Sequence, residues 1–123
     1  MQIQPILLEA YPCGSRTDLR LPLYLDALSA PVAAPFVVVR GSQPGPVVGI
    51  SAAIHGDELN GIKIIHHVLD RLDPSSMHGS LVCAPVANVP AFQAGQRRFP
   101  EDNPDLNHVF PGKADGKPSE QYA

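Results

Sequence analysis

Residues 46–86 switch between two kinds of hydrophobic pattern, and that switch restricts the fold more than any other part of the chain. Val47 to Ile54 is a near-continuous run of small and β-branched apolar residues. Strands buried on both faces of a helix-covered sheet look like this. Leu59 to Leu72 follows, with Ile62, Ile65, Leu69 and Leu72 at helical spacing and therefore on one stripe. Asp73-Pro74 ends that helix, and Ser80 to Val86 reads as another core strand. Strand, helix, strand implies a βαβ crossover. The expected fold class is α/β, a mixed and largely parallel sheet with flanking helices.

The flanking segments are less regular. Ile3 to Glu9 reads as a short strand, Tyr11 to Gly14 as a turn, and Arg20 to Leu28 as a strand that Pro22 pushes towards a sheet edge. Ala30 to Pro35 reads as a connection. Phe36 to Arg40 is β-branched and strand-like, and Gly41 to Pro46 is a turn. Asn88 to Gly95 holds a helical turn around Pro90-Ala91-Phe92. Gly95 to Lys117 is a long polar loop, and loops of that length are usually functional or disordered. Ser119 is expected to cap a helix that starts in the last five residues and has almost nothing to bury. On this reading residues 1–123 are expected to be the front part of a longer protein, either truncated or naturally short.

The function classes narrow with composition. The chain has 123 residues, 44% hydrophobic and 17% charged, with a net charge of −3; this suits one globular domain. The mixed charges resemble neither a nucleic-acid footprint nor a membrane-surface patch. No stretch approaches the roughly 20 apolar residues of a membrane span. Met1 to Pro5 lacks the basic start and apolar core of a signal peptide. Cys13 and Cys83 form no framework and read as reduced thiols. A cytoplasmic location is the expectation.

His55-Gly56-Asp57-Glu58 stands where the first apolar run gives way to the helix. An imidazole and a carboxylate three residues apart on a strand-to-helix turn suit two positions of a catalytic zinc site. Such an ion activates water and polarises a carbonyl. The same residues also suit a plain turn, with Asp57 as helix cap and Glu58 as a favourable acid in the first turn. The zincin pattern H-E-x-x-H is absent.

A second constellation, Arg97-Arg98-Phe99-Pro100-Glu101-Asp102-Asn103-Pro104-Asp105-Leu106-Asn107-His108-Val109-Phe110-Pro111-Gly112, closes the long loop. Together with His55 to Gly61 and the Pro85-Val86-Ala87-Asn88 strand end, it resembles the succinylglutamate desuccinylase/aspartoacylase family of zinc carboxypeptidase-like hydrolases. The resemblance runs from about Gly45 to Ala123. It implies that His55 and Glu58 are the first two zinc ligands, and that Arg98, or its neighbour Arg97, steadies the scissile carbonyl as it becomes an oxyanion. It further implies that Asn107 holds the substrate carboxylate and that Asp105 orients the loop.

The implied function is a zinc-dependent deacylase that cleaves the amide bond of an N-acyl amino acid or related small amide. A non-catalytic partial domain and a carboxypeptidase-type hydrolase of small peptides are the alternatives. Two features depart from the family. His108 stands where the family usually has an arginine, and a single imidazole cannot grip a carboxylate with a bidentate fork. The family's third zinc ligand and its general-base glutamate lie downstream of the matching segment, so residues 1–123 are expected to be the N-terminal portion of one catalytic domain with little activity alone. His66 and His67 cannot substitute, because His66 lies about 12 Å along the helix from Glu58. His108 is the one topologically plausible stand-in. An incomplete sheet is also expected to leave apolar surface exposed for self-association.

Overall fold

A hairpin of two long strands forms one side of the sheet in the computed structural model, which describes residues 5–123. β1 (Ser15–Leu25) pairs antiparallel with β2 (Pro31–Arg40). Asp26 shapes the turn between them, its Oδ1 accepting from the backbone N–H of Leu28 and of Ala30, both at 2.9 Å. The ladder shifts register between Pro22 and Tyr24, where proline has no N–H to give. The segment expected as a connection, Ala30 to Pro35, is thus mostly strand. Pairing with β1 overrides its proline and alanine content, as tertiary context commonly does.

β3 (Gln43–Ser51) already begins inside the expected Gly41–Pro46 turn, and β4 (His78–Ala84) completes a sheet of order β1-β2-β4-β3. β4 runs antiparallel to β2 and parallel to β3. The sheet is therefore mixed, as expected. It is not largely parallel, since one of its three pairings is parallel. The short β1–β2 connection can only reverse the chain, while β3 and β4 are joined through a helix that permits parallel pairing.

α1 (Asn60–Leu69) is that crossover helix. Its Ile65 and Leu69 pack on Val37 and Val39 of β2 and on Leu81 and Cys83 of β4, with Ala52, Leu72 and Met77 at the margin. The helix thus lies over the centre of the sheet rather than over β3. Every residue of β3 is exposed, including Val47, Val48 and Ile50, so the expectation of a strand buried on both faces is corrected. Its composition is that of a central strand, but among the described residues it has one neighbour and sits at the edge.

A second cluster joins Phe99, Leu106 and Tyr122, packed with Leu23, Tyr24, Val32 and Ile54. It anchors the 95–117 segment, whose Phe99 and Leu106 are fully buried. α3 (Pro118–Tyr122) belongs to this cluster, contrary to the expectation that it buries almost nothing. The Tyr122 ring lies 5.3 Å from that of Phe99, and its phenol donates to Ala87 O at 2.9 Å and accepts from Val89 N–H at 3.0 Å. Burial pushes the phenol's pKa up to about 12. Ser119 is not the cap, because Lys117 occupies that position and its N–H donates to Glu120 Oε2 at 2.7 Å. The Ser119 hydroxyl instead donates to Asp102 Oδ2 at 2.6 Å. Of the strand expected over Ile3–Glu9, the first residues lie outside the described ones. The rest includes a 3-10 turn, Leu8–Ala10, tied down by Arg40, which donates to Leu8 O and Tyr11 O.

Candidate active site

β3 and β4 are parallel, so the loops leaving their C-terminal ends open on the same side, where α/β sheets bind ligands. The β3 exit carries His55. Just before it, Ala53 takes a left-handed backbone conformation, φ 51°, a strained geometry that sites tolerate when the surroundings enforce it. The β4 exit carries α2 (Val89–Ala94), capped by Asn88 and ended by Gly95 at φ 63°, a left-handed end that glycine takes without strain.

His55 is 8% exposed and has a carboxylate on each ring nitrogen. Nδ1 lies 3.1 Å from Glu58 Oε1, and Nε2 lies 2.9 Å from Asp105 Oδ1. Glu58 is held by a tight turn in which its N–H donates to His55 O at 3.1 Å. It precedes α1 rather than opening it, and neither Asp57 nor any other side chain caps that helix. Arg97 completes the ring: its Nη1 donates to Glu58 Oε1 at 2.8 Å, and its Nη2 lies 3.9 Å from Asp105 Oδ2.

Arg98 points elsewhere and donates to Asn103 O at 3.1 Å. The two arginines lie in a bend of the loop, and it is the Arg97 side chain that joins the ring. Asn107 sits in the 3-10 turn Leu106–His108, its N–H donating to Asp105 Oδ1 at 3.1 Å. Its side chain lines a cavity of about 520 Å³ together with Ile54, Phe110 and Tyr122. His108, at the exposed end of the same turn, makes no hydrogen bond to His55 or Glu58 among the described residues.

The charges reinforce this geometry. The hydrogen bond from His55, then that from Arg97, holds the Glu58 carboxyl below the usual carboxylate range. Asp105 is lowered first by its bond to His55 and then by the Asn107 N–H. A carboxylate depressed on folding stabilises the fold above its unfolded value, about 4, and loses that contribution as pH falls through the folded value. Denaturation midpoints of Asp105→Asn are accordingly expected to fall less steeply below about pH 4 than those of the wild type. Parallel curves would contradict the coupling.

The donor set suits part of a zinc site. A neutral imidazole carries one N–H. With an ion held between Nδ1 and Glu58, Asp105 would accept that N–H from Nε2, the arrangement that orients metal-bound histidines. Catalytic zinc takes three protein ligands, and among the described residues no group of three or more His, Cys, Asp or Glu is arranged to hold a metal. Asp105 does not supply the third, because it faces the far nitrogen.

Residues 44–123 match the profile of the succinylglutamate desuccinylase/aspartoacylase catalytic domain. The chain is 35% identical over 106 residues to the N-alpha-acetyl-L-2,4-diaminobutyric acid deacetylase of Halomonas elongata, covering 85% of this chain and 31% of that one. It is similar to the crystal structure of a succinylglutamate desuccinylase/aspartoacylase from Rhodobacter sphaeroides, with a TM-score of 0.79, 31% identity, and coverage of 87% and 33% of the two chains. The product-bound ectoine utilization protein EutE of Ruegeria pomeroyi gives a TM-score of 0.76 at 30% identity, covering 98% of this chain and 37% of that one. The chain thus spans about a third of the length of these relatives. No helix among the described residues is long and apolar enough to cross a membrane.

Proposed function

Because the chain belongs to the succinylglutamate desuccinylase/aspartoacylase family, we propose that its His55–Glu58 turn and 97–108 loop are the metal-and-carbonyl half of a zinc-dependent deacylase site. The reaction is hydrolysis of the amide bond of an N-acylated amino acid. The observation that carries this reading is the pair of contacts on His55, with Glu58 at Nδ1 and Asp105 at Nε2. His55 and Glu58 would hold the ion, which when bound supplies Lewis-acid polarisation of the acyl carbonyl. Residues 1–123 are, on this reading, the N-terminal portion of the catalytic domain, and the remaining zinc ligand and the general base come from elsewhere in it.

The chain's own residues have separable tasks. Asp105 holds the imidazole proton and fixes the ring. Arg97 already reaches the Glu58 carboxylate, so its guanidinium is the one within range of a carbonyl oxygen beside the ion, where preorganised donors are strong electrostatic catalysts. This moves the carbonyl-stabilising role from Arg98 to Arg97. Asn107 and His108 face the substrate's carboxylate end, with His108 offering one contact where an arginine would offer a fork. The deacetylase relative makes an N-acetylated diamino acid the first substrate to try.

The test is zinc-dependent release of free amine from N-acyl amino acids by the complete gene product. Arg97→Ala is expected to lower the rate about 10²- to 10³-fold, and Arg98→Ala by less than about tenfold. The reverse order would overturn the assignment, and hydrolysis unaffected by zinc removal would overturn the reading.

Self-association and a cytoplasmic setting belong to the same proposal. Val47, Val48 and Ile50 on β3 and Ile64 and Val68 on α1 are apolar and exposed, and an unpaired edge strand is a template for further pairing. Light scattering of the 123-residue chain is expected to show mass rising with concentration. A monomer at all concentrations would contradict it.

A further inference from the structure

We infer that Asn88, on the β4 exit, is the positioning residue that aims the His55 imidazole; the inference rests on the metal-site reading above. Asn88 is fully buried, and its hydrogen-bonding groups are engaged. Its Nδ2 donates to Ile54 O at 3.1 Å, and its backbone N–H donates to Ala53 O at 3.0 Å. Ala87 N–H donates to Ala52 O at 2.8 Å. Three consecutive carbonyls ahead of His55 are therefore fixed by two residues of the neighbouring loop. On its other side, Asn88 Oδ1 accepts from Ala91 N–H at 3.2 Å and caps α2.

The arrangement accounts for two oddities of the turn. Ala53 holds a left-handed φ that residues with a Cβ rarely adopt, and the Asn88 bonds at Ala53 O and Ile54 O are what enforce it. Gly56, on the far side of His55, lies flush against α2, where a Cβ would sit 2.1 Å from the Ala91 carbonyl carbon. His55 is thus suspended between two points, Ile54 O and Gly56, both referred to Asn88 and the helix it caps. One buried amide sets the direction of the ring.

The experiment uses the 123-residue chain with Co²⁺ as a spectroscopic probe, together with the NMR signal of the imidazole N–H shared with Asp105. Asn88→Ser keeps a cap acceptor but loses the donor to Ile54 O. It is expected to weaken Co²⁺ binding about 10- to 100-fold, the range for groups that orient a metal ligand, and to broaden or erase the imidazole N–H signal. Asn88→Asp, isosteric and still a cap, should do the same and serves if the serine variant does not fold. Tyr122→Phe is the structural control, because it removes hydrogen bonds at Ala87 O and Val89 N, keeps the ring in place, and loses no hydrogen bond to residues 52–54. It should leave both readouts within about twofold of wild type. The inference fails, and the metal-site reading survives, if Asn88→Ser binds like wild type or if it and Tyr122→Phe weaken binding equally. Both fail if wild type and His55→Ala bind Co²⁺ equally.

Discussion

Replacing His55 by alanine is expected to abolish the zinc affinity that the proposed site would give the chain. Even groups that only orient a metal ligand are worth about 10- to 100-fold in affinity, so loss of the nitrogen donor itself should cost more than about 100-fold. What remains is Glu58 paired with Arg97 at 2.8 Å, both side chains at least half exposed. That is an ordinary solvent-screened surface ion pair, which contributes little. The variant should stay folded, because the core clusters contain neither His55 nor Glu58. Equilibrium dialysis against buffered zinc, with circular dichroism on the same samples, checks both halves. Undiminished zinc in a folded variant would move the metal to other residues.

The second large effect is structural. In Gly56→Ala the new methyl would lie 2.1 Å from the Ala91 carbonyl carbon and 2.3 Å from Phe92 N. These are backbone atoms of α2 and cannot rotate away, so the turn must separate from the helix. Overpacking of this kind costs about 1–3 kcal/mol, and it displaces the residue next to His55. The denaturation midpoint should fall and zinc affinity should fall with it. Gly49→Ala in β3 is the matched control, since a Cβ there meets nothing within 4 Å. It should be neutral, or stabilising by about 0.4–1 kcal/mol through the unfolded chain. Equal midpoints for the two variants would mean that the Gly56–α2 contact is not tight.

These two predictions draw on features of unequal legibility. The βαβ unit over residues 47–86 was readable because period and apolar content are local signals. The position of β3 at the edge was not, because the apolar character of Val47, Val48 and Ile50 states a preference for burial without naming the neighbour. Ala30 to Pro35 reads unlike a strand for a related reason: its ladder is supplied by β1, through partners six to fifteen residues away in sequence. In the site, His55 and Glu58 converge as their spacing suggested, since a three-residue turn is short enough to fix both. The contact between His55 and Asp105 spans 50 residues and depends on how Phe99 and Leu106 bury the intervening loop. Arg97 and Arg98 are chemically identical neighbours, and only the packing of that loop distinguishes them. Asn88 reads as part of a strand end, and its bonds to the carbonyls of residues 53 and 54, more than thirty residues away, carry no local signal.

X-ray absorption at the zinc edge of the zinc-loaded 123-residue chain, compared with His55→Ala, tests the central claim most directly. The account predicts one imidazole nitrogen at about 2.0–2.1 Å with oxygen donors completing the shell, and loss of the imidazole scattering in the variant. Identical spectra from the two proteins, or a shell of several imidazoles drawn from His66, His67 and His78, would contradict it.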